Sequence, residues 1–166
     1  MNATTQLLQR NQAYSDAFDD GGLAGAPALA VAIVTCMDAR LDPAKALGID
    51  LGDAHVIRNA GGVVTDDVIR SLSISQHLLG TREILLMHHT KCGLMTFTDE
   101  EFAAAREQST GFRPEWPVGT FRDVEEDVRD GMRLIMESPF VPFKESLRGF
   151  VYEVESGRVR ELAADH

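Results

Sequence analysis

Short apolar runs alternating with helix-like segments predict an α/β domain with a mainly parallel central β-sheet flanked by helices, preceded by an N-terminal helical arm. Three observations carry this prediction. Continuous apolar runs at Ala28–Val34 and Ile84–Met87 read as buried strands, and His55-Val56-Ile57-Arg58 between them reads as a further strand. The segment after the second run has helix signals at both ends: Thr65 as N-cap, Asp66 and Asp67 at the positive end of the dipole, and Gly80 where a C′ glycine belongs. Finally, the first and third runs each close on a metal-capable residue pattern, at the carboxyl ends where open α/β sheets place their active sites.

Taken in order, residues 3–18 form a helix whose apolar side is Leu7, Leu8, Tyr14 and Phe18. Asp19-Asp20-Gly21-Gly22 and a Gly/Ala/Pro stretch detach it from the first strand, so residues 1–27 are an arm and 28–166 a single α/β domain. Ala28–Thr35 is the first strand, Cys36–Arg40 its exit loop, and Pro43–Leu47 a short helix behind Asp42. His55–Arg58 is the second strand, ending in Asn59-Ala60-Gly61-Gly62; these glycines suit either a close backbone approach or a plain turn. Val68, Leu72 and Leu79 recur at roughly helical spacing, and Glu83–His88 is the third strand. Thr98-Asp99-Glu100-Glu101 opens a further helix, and Gly111–Thr120 is a loop carrying the only tryptophan, Trp116. Phe121, Val124, Val128, Leu134 and Ile135 mark a last amphipathic helix stopped near Pro139. Arg148–Val154 and Arg158–Leu162, flanking Glu155-Ser156-Gly157, read as a hairpin or a strand plus tail.

Composition narrows the function. The length of 166 residues suits one domain able to bury a core without staples. A net charge of −10 argues against nucleic acid, which requires a basic face. No apolar stretch approaches the roughly 20 residues of a membrane span, and MNATTQLLQRNQ lacks the pattern of a secretory signal. Both cysteines sit in motifs, which favours reduced thiols and a cytoplasmic setting over a disulfide framework.

Two adjacent parallel strands ending at one sheet edge would bring together Cys36, from Cys-Met-Asp-Ala-Arg, with His89 and Cys92, from His-Thr-Lys-Cys. Three such ligands with an open fourth position are the signature of a catalytic zinc. The plainer alternative is that both cysteines are buried small apolar side chains; it leaves their charged neighbours Asp38, Arg40 and His89 unexplained. His88 and His89 point to opposite strand faces, so only one can serve, and the spacing to Cys92 selects His89. His88 is then a packed or hydrogen-bonded neighbour, and His55, His77 and His166 are ordinary histidines. If the chain stays extended, residues 36, 38 and 40 share a side, with Asp38 toward the metal and Arg40 paired to Asp38. Asp38 could ligate the metal directly, closing the site, or turn to Arg40 and accept a hydrogen bond from water. Lys91 and the acidic run at Glu125 and Glu126 read as solvent-facing.

These motifs resemble the β-class carbonic anhydrases, in a compact form similar to short actinobacterial members. Cys36-Met37-Asp38-Ala39-Arg40, His89-Thr90-Lys91-Cys92 and Arg58-Asn59-Ala60-Gly61-Gly62 carry the likeness, which runs from about Val31 to Gly93. The resemblance implies Zn²⁺ held by Cys36, His89 and Cys92, Asp38 and Arg40 as a catalytic dyad, and reversible hydration of CO₂ to bicarbonate. It also implies a homodimer or higher homo-oligomer in which the N-terminal helix lies across its partner. Departures from the family pattern, His88 before His89, Leu94 after Cys92-Gly93, and Gly62 in place of a frequent Asn, alter the pocket wall and leave ligands and dyad intact. Two alternatives remain: hydrolysis of carbonyl sulfide or carbon disulfide on the same scaffold, and a zinc-binding module closed permanently by Asp38.

Overall fold

A computed structural model describes residues 1–163. Its sheet has five strands in the order β2-β1-β3-β4-β5, with β1 (Val31–Cys36), β2 (Ala54–Asn59), β3 (Glu83–His89) and β4 (Ser146–Tyr152) parallel and β5 (Val159–Glu161) antiparallel to β4. The expected mainly parallel sheet is therefore present, and the terminal segment is the hairpin. The chain runs from β1 outward to β2 through α2 (Pro43–Leu47), then returns past β1 to β3 through α3 (Asp66–Leu79). That reversal places a topological switch point between the carboxyl ends of β1 and β3, where two exit loops diverge and leave a crevice.

Local chemistry explains the helix ends. Thr65 accepts from the N–H of Val68 at the start of α3, and Gly80 closes the helix in the left-handed region at φ 79°. Thr98 and Glu101 form a reciprocal capping box on α4 (Asp99–Thr110). Asp123 caps α5 (Val124–Glu137), so Phe121, expected inside this helix, lies just before it. Within α5, Val128, Gly131 and Ile135 are buried, whereas Leu134 faces outward.

The main core lies on one sheet face, where Ala32, Val34, Ile84, Leu86 and Val151 meet Val68 and Leu72 of α3 and Val128 and Ile135 of α5. Burial of such side chains stabilises by roughly 1.5–3 kcal/mol each. Helix α5 sits close because small residues face the contact: a Cβ at Gly131 would stand 2.9 Å from Leu86 Cδ2, and one at Gly149 2.7 Å from Val128 Cγ1. The other face carries a smaller cluster of Leu41, Met87 and Tyr152 beneath α2.

Two expectations at the amino end change. The first strand begins at Val31 rather than Ala28, because Ala30 turns at φ 52° and its carbonyl accepts from Arg82 and Glu83. Leu29 is correspondingly exposed. Helix α1 (Ala3–Asp16) forms, capped by Asn2, but buries no residue, and Leu7, Leu8, Tyr14 and Phe18 stand in solvent. His55 ties down the following linker, with Nε2 3.1 Å from the Gly25 carbonyl and Nδ1 2.7 Å from Ser75 Oγ. His166 lies outside the described residues.

Candidate metal centre

Cys36 is the last residue of β1 and His89 the last of β3, and these strands pair directly in parallel. Beyond His89 the chain reverses within Thr90–Lys91, and Lys91 adopts a left-handed φ of 56°. That turn brings Cys92 back over the strand end before a single 3₁₀ turn at Gly93–Met95. The ligand atoms of Cys36, His89 and Cys92 consequently lie within 4.8 Å of one another, all three residues buried. Zinc bonds of about 2.0–2.3 Å place tetrahedral ligands roughly 3.3–3.8 Å apart, so the cluster suits one ion.

The imidazole makes the fit specific. His89 Nδ1 lies 2.9 Å from the carbonyl of Thr90, a bond it can make only as donor, which leaves Nε2 as the unprotonated nitrogen. Nε2 is buried and has no hydrogen-bond partner. An unsatisfied buried acceptor facing two sulfurs is a costly arrangement unless a cation completes it.

The sulfurs agree. Hydrogen bonding from Cys92, and from the N–H groups of Asp38 and Gly61, outweighs burial and holds the Cys36 thiol well below its ordinary range. Cys92 is pushed up because it holds the proton shared with Cys36 and is itself buried. One proton shared between two sulfurs is the charge a metal ion would replace.

Beside the cluster, Arg40 grips Asp38 in a fork: Nε donates to Oδ1 at 2.9 Å and Nη2 to Oδ2 at 2.7 Å. The Arg40 backbone N–H also donates to Oδ1 at 2.9 Å. These bonds hold the Asp38 carboxyl well below the usual carboxylate range. The pairing expected from an extended chain is thus present for a different reason. Ala39 and Arg40 form a turn, closed by the Leu41 N–H on the Asp38 carbonyl at 3.1 Å, and the Asp38 side chain accepts from the backbone two residues ahead. Asp38 Oδ2 stands 3.7 Å from His89 Nε2, facing the cluster while committed to Arg40.

His88 points to the opposite face, where Nε2 meets Asp127 Oδ2 at 2.7 Å and the ring packs 5.6 Å from Phe121. Lys91 pairs with Glu155 at 2.5 Å on the surface, while its carbonyl accepts from Arg40 Nη2 at 3.0 Å. The glycines prove to need both properties weighed for them. Gly61 and Gly62 have φ of 81° and 76°, and a Cβ at Gly62 would lie 2.9 Å from Thr35 C and 3.0 Å from Cys36 N. Arg58 is the residue that motif spacing missed. It clamps the Cys36–Leu41 loop from β2, and its only sequence signal is membership of the Arg-Asn-Ala-Gly segment.

Comparison with known proteins agrees with this geometry. A family profile described as "Carbonic anhydrase" matches residues 31–127. "Beta-carbonic anhydrase 1" of Mycobacterium tuberculosis is 54% identical over 162 residues, covering 98% of this chain and 99% of that protein. The solved carbonic anhydrase of Streptococcus mutans is 46% identical and superimposes with a TM-score of 0.93, covering 98% and 99% of the two chains. A carbon disulfide hydrolase of Saccharolobus solfataricus is 36% identical over 154 residues, covering 78% and 75%.

Proposed function

The chain belongs to the β-carbonic anhydrase family, and from that premise we propose that Cys36, His89 and Cys92 hold Zn²⁺ while Asp38 and Arg40 form the catalytic pair for reversible hydration of CO₂ to bicarbonate. The observation that carries this reading is the orphaned Nε2 of His89 among two sulfurs, 3.7 Å from a carboxylate that an arginine fork holds.

When bound, zinc acts as a Lewis acid that activates water for attack on carbon. The chain's own residues supply the rest. Thr90 O fixes the His89 tautomer that presents Nε2. Asp38, kept ionised by Arg40, accepts the hydrogen bond that orients the attacking water, and as an acceptor it favours the protonated nucleophile over an anion lacking that proton. Leu94, Phe121 and partly buried Val63 line the cysteine cluster with apolar surface, which suits a linear, uncharged substrate.

Stopped-flow CO₂ hydration across pH, with metal analysis of the same sample, tests this directly. Zinc near one per chain with hydration supports it; zinc without hydration at any pH identifies the closed module instead. The 36% identity to a carbon disulfide hydrolase makes sulfide release from carbon disulfide and carbonyl sulfide the companion assay.

Residues 28–166 form one catalytic domain in this reading and residues 1–27 an arm. The exposed apolar row of Leu7, Leu8, Tyr14 and Phe18, with the Tyr14 and Phe18 rings 5.4 Å apart, supports a homodimer in which the arm lies on the partner. Deleting residues 1–27 is expected to shift the mass in solution toward monomer, read by light scattering. Among the described residues no helix is long and apolar enough to cross a membrane. Free Cys36 and Cys92 support a cytoplasmic location.

A further inference from the structure

Loop Cys36–Leu41 carries a metal ligand and both members of the dyad, yet it has little regular structure of its own. Its carbonyls converge on one side chain from the neighbouring strand. Arg58 Nε donates to Cys36 O at 2.8 Å, and Nη2 donates to Asp38 O at 3.0 Å and Leu41 O at 2.8 Å. A planar guanidinium suits this task, because its donors have fixed directions and span carbonyls several residues apart. The second guanidinium works in the opposite direction. Arg40, held on that loop, reaches across with Nη2 to Lys91 O in the loop between His89 and Cys92.

We infer that Arg58 is a positioning residue that keeps Asp38 turned to Arg40 and away from the metal position, by clamping the backbone from which the Asp38 side chain springs. This rests on the zinc reading above. Distance alone does not keep the carboxylate off the metal. Asp38 Oδ2 is only 3.7 Å from His89 Nε2, and a metal ion would stand about 2.0–2.1 Å from that nitrogen. A small rearrangement of residues 37–39 therefore suffices to convert Asp38 from hydrogen-bond acceptor into a fourth ligand. Arg58 opposes that rearrangement at the Asp38 carbonyl itself, and at the carbonyls on either side. Without it, Arg40 remains as a side-chain partner, but the loop bearing both residues is free to move as a unit.

The test uses cobalt-substituted protein and azide, whose binding to the metal is read from the visible spectrum. Parent protein that hydrates CO₂ and binds azide meets the zinc reading; parent protein that binds neither metal nor azide overturns that reading before Arg58 is considered. In Arg58→Ala, Asp38 occupies the fourth position. A variant closed nine-tenths of the time shows azide affinity about tenfold weaker, with hydration falling in proportion. Removing the competing carboxylate in Arg58→Ala/Asp38→Ala restores azide affinity to that of Asp38→Ala alone. Arg58→Lys, which can make some of the contacts without the fork, lies between and keeps the test available if the alanine variant does not fold. Unchanged azide affinity in Arg58→Ala overturns the inference. So does weakened affinity that Asp38→Ala fails to restore, in either Arg58 background, since a general loss of structure would behave that way.

Discussion

Gly62 offers a quantitative test of how tightly the sheet edge fixes the centre. Its φ of 76° lies in the left-handed region, where a side chain costs roughly 1–2 kcal/mol. An alanine Cβ there would also stand 2.9 Å from Thr35 C and 3.0 Å from Cys36 N, main-chain atoms held by the ladders to β2 and β3. Reaching the 3.4 Å of ordinary contact requires a shift of about 0.5 Å, and overpacking of this kind costs about 1–3 kcal/mol more. Gly62→Ala should therefore lose about 2–5 kcal/mol. Gly80 is the internal control: φ is 79° but nothing lies within 4 Å of a Cβ, so Gly80→Ala carries the conformational cost alone. Urea unfolding of metal-free protein separates the two variants without interference from metal binding. Displacing Cys36 also exceeds the roughly 0.2 Å tolerance of zinc ligation, so competition with a chromophoric chelator should show zinc affinity about tenfold or more weaker in Gly62→Ala only. Equal destabilisation in both variants, with equal zinc affinity, would refute the close-approach argument.

Asp38→Asn should retain zinc but lose most of the hydration rate, because the amide keeps one acceptor oxygen and puts an NH2 donor in place of the other; stopped-flow rates with metal analysis decide this. Hydration should rise toward alkaline pH, since two thiolates offset the metal's charge and leave the activated water less acidic than three imidazoles would; a flat profile contradicts this. Asp99 receives Thr120 Oγ1 and the N–H groups of Thr120, Gly119 and Val118, led by the hydroxyl, which lowers its carboxyl. Because the folded value lies below the unfolded one, that stabilisation is fully present above the unfolded carboxylate range and fades as pH falls through the folded value. Asp99→Ala should thus cost about 1–2 kcal/mol at neutral pH and progressively less in acid, by urea unfolding across pH.

Legibility followed the range of the interactions. The strand ends were readable to within one residue, expected at Thr35 and His88 and found at Cys36 and His89, because buried parallel strands demand unbroken apolar runs. The same signal misled at Ala28–Ala30, where apolar residues precede the strand and the backbone turns at Ala30. Strand alternation allowed only one of His88 and His89 to face the cysteines and the spacing to Cys92 favoured His89; His88 instead meets Asp127 on α5. Pairing of Asp38 with Arg40 was foreseen, but its cause was a local turn that periodicity does not encode. Phe121 was read into α5 because its apolarity fits the helical stripe, while Asp123, the actual cap, is only one of several acidic residues there.

By itself the sequence determined the strand–helix alternation, the candidate ligand types and the spacing that favours His89, because these depend on burial and local geometry along a few residues. Only the tertiary structure decided that β1 and β3 are neighbours at the switch point, that His89 Nε2 is left without a partner, and that Arg58 reaches three carbonyls of another segment. Those features join residues far apart in the chain through the order of strands in the sheet, a choice made by packing of the whole core rather than by any one stretch of it.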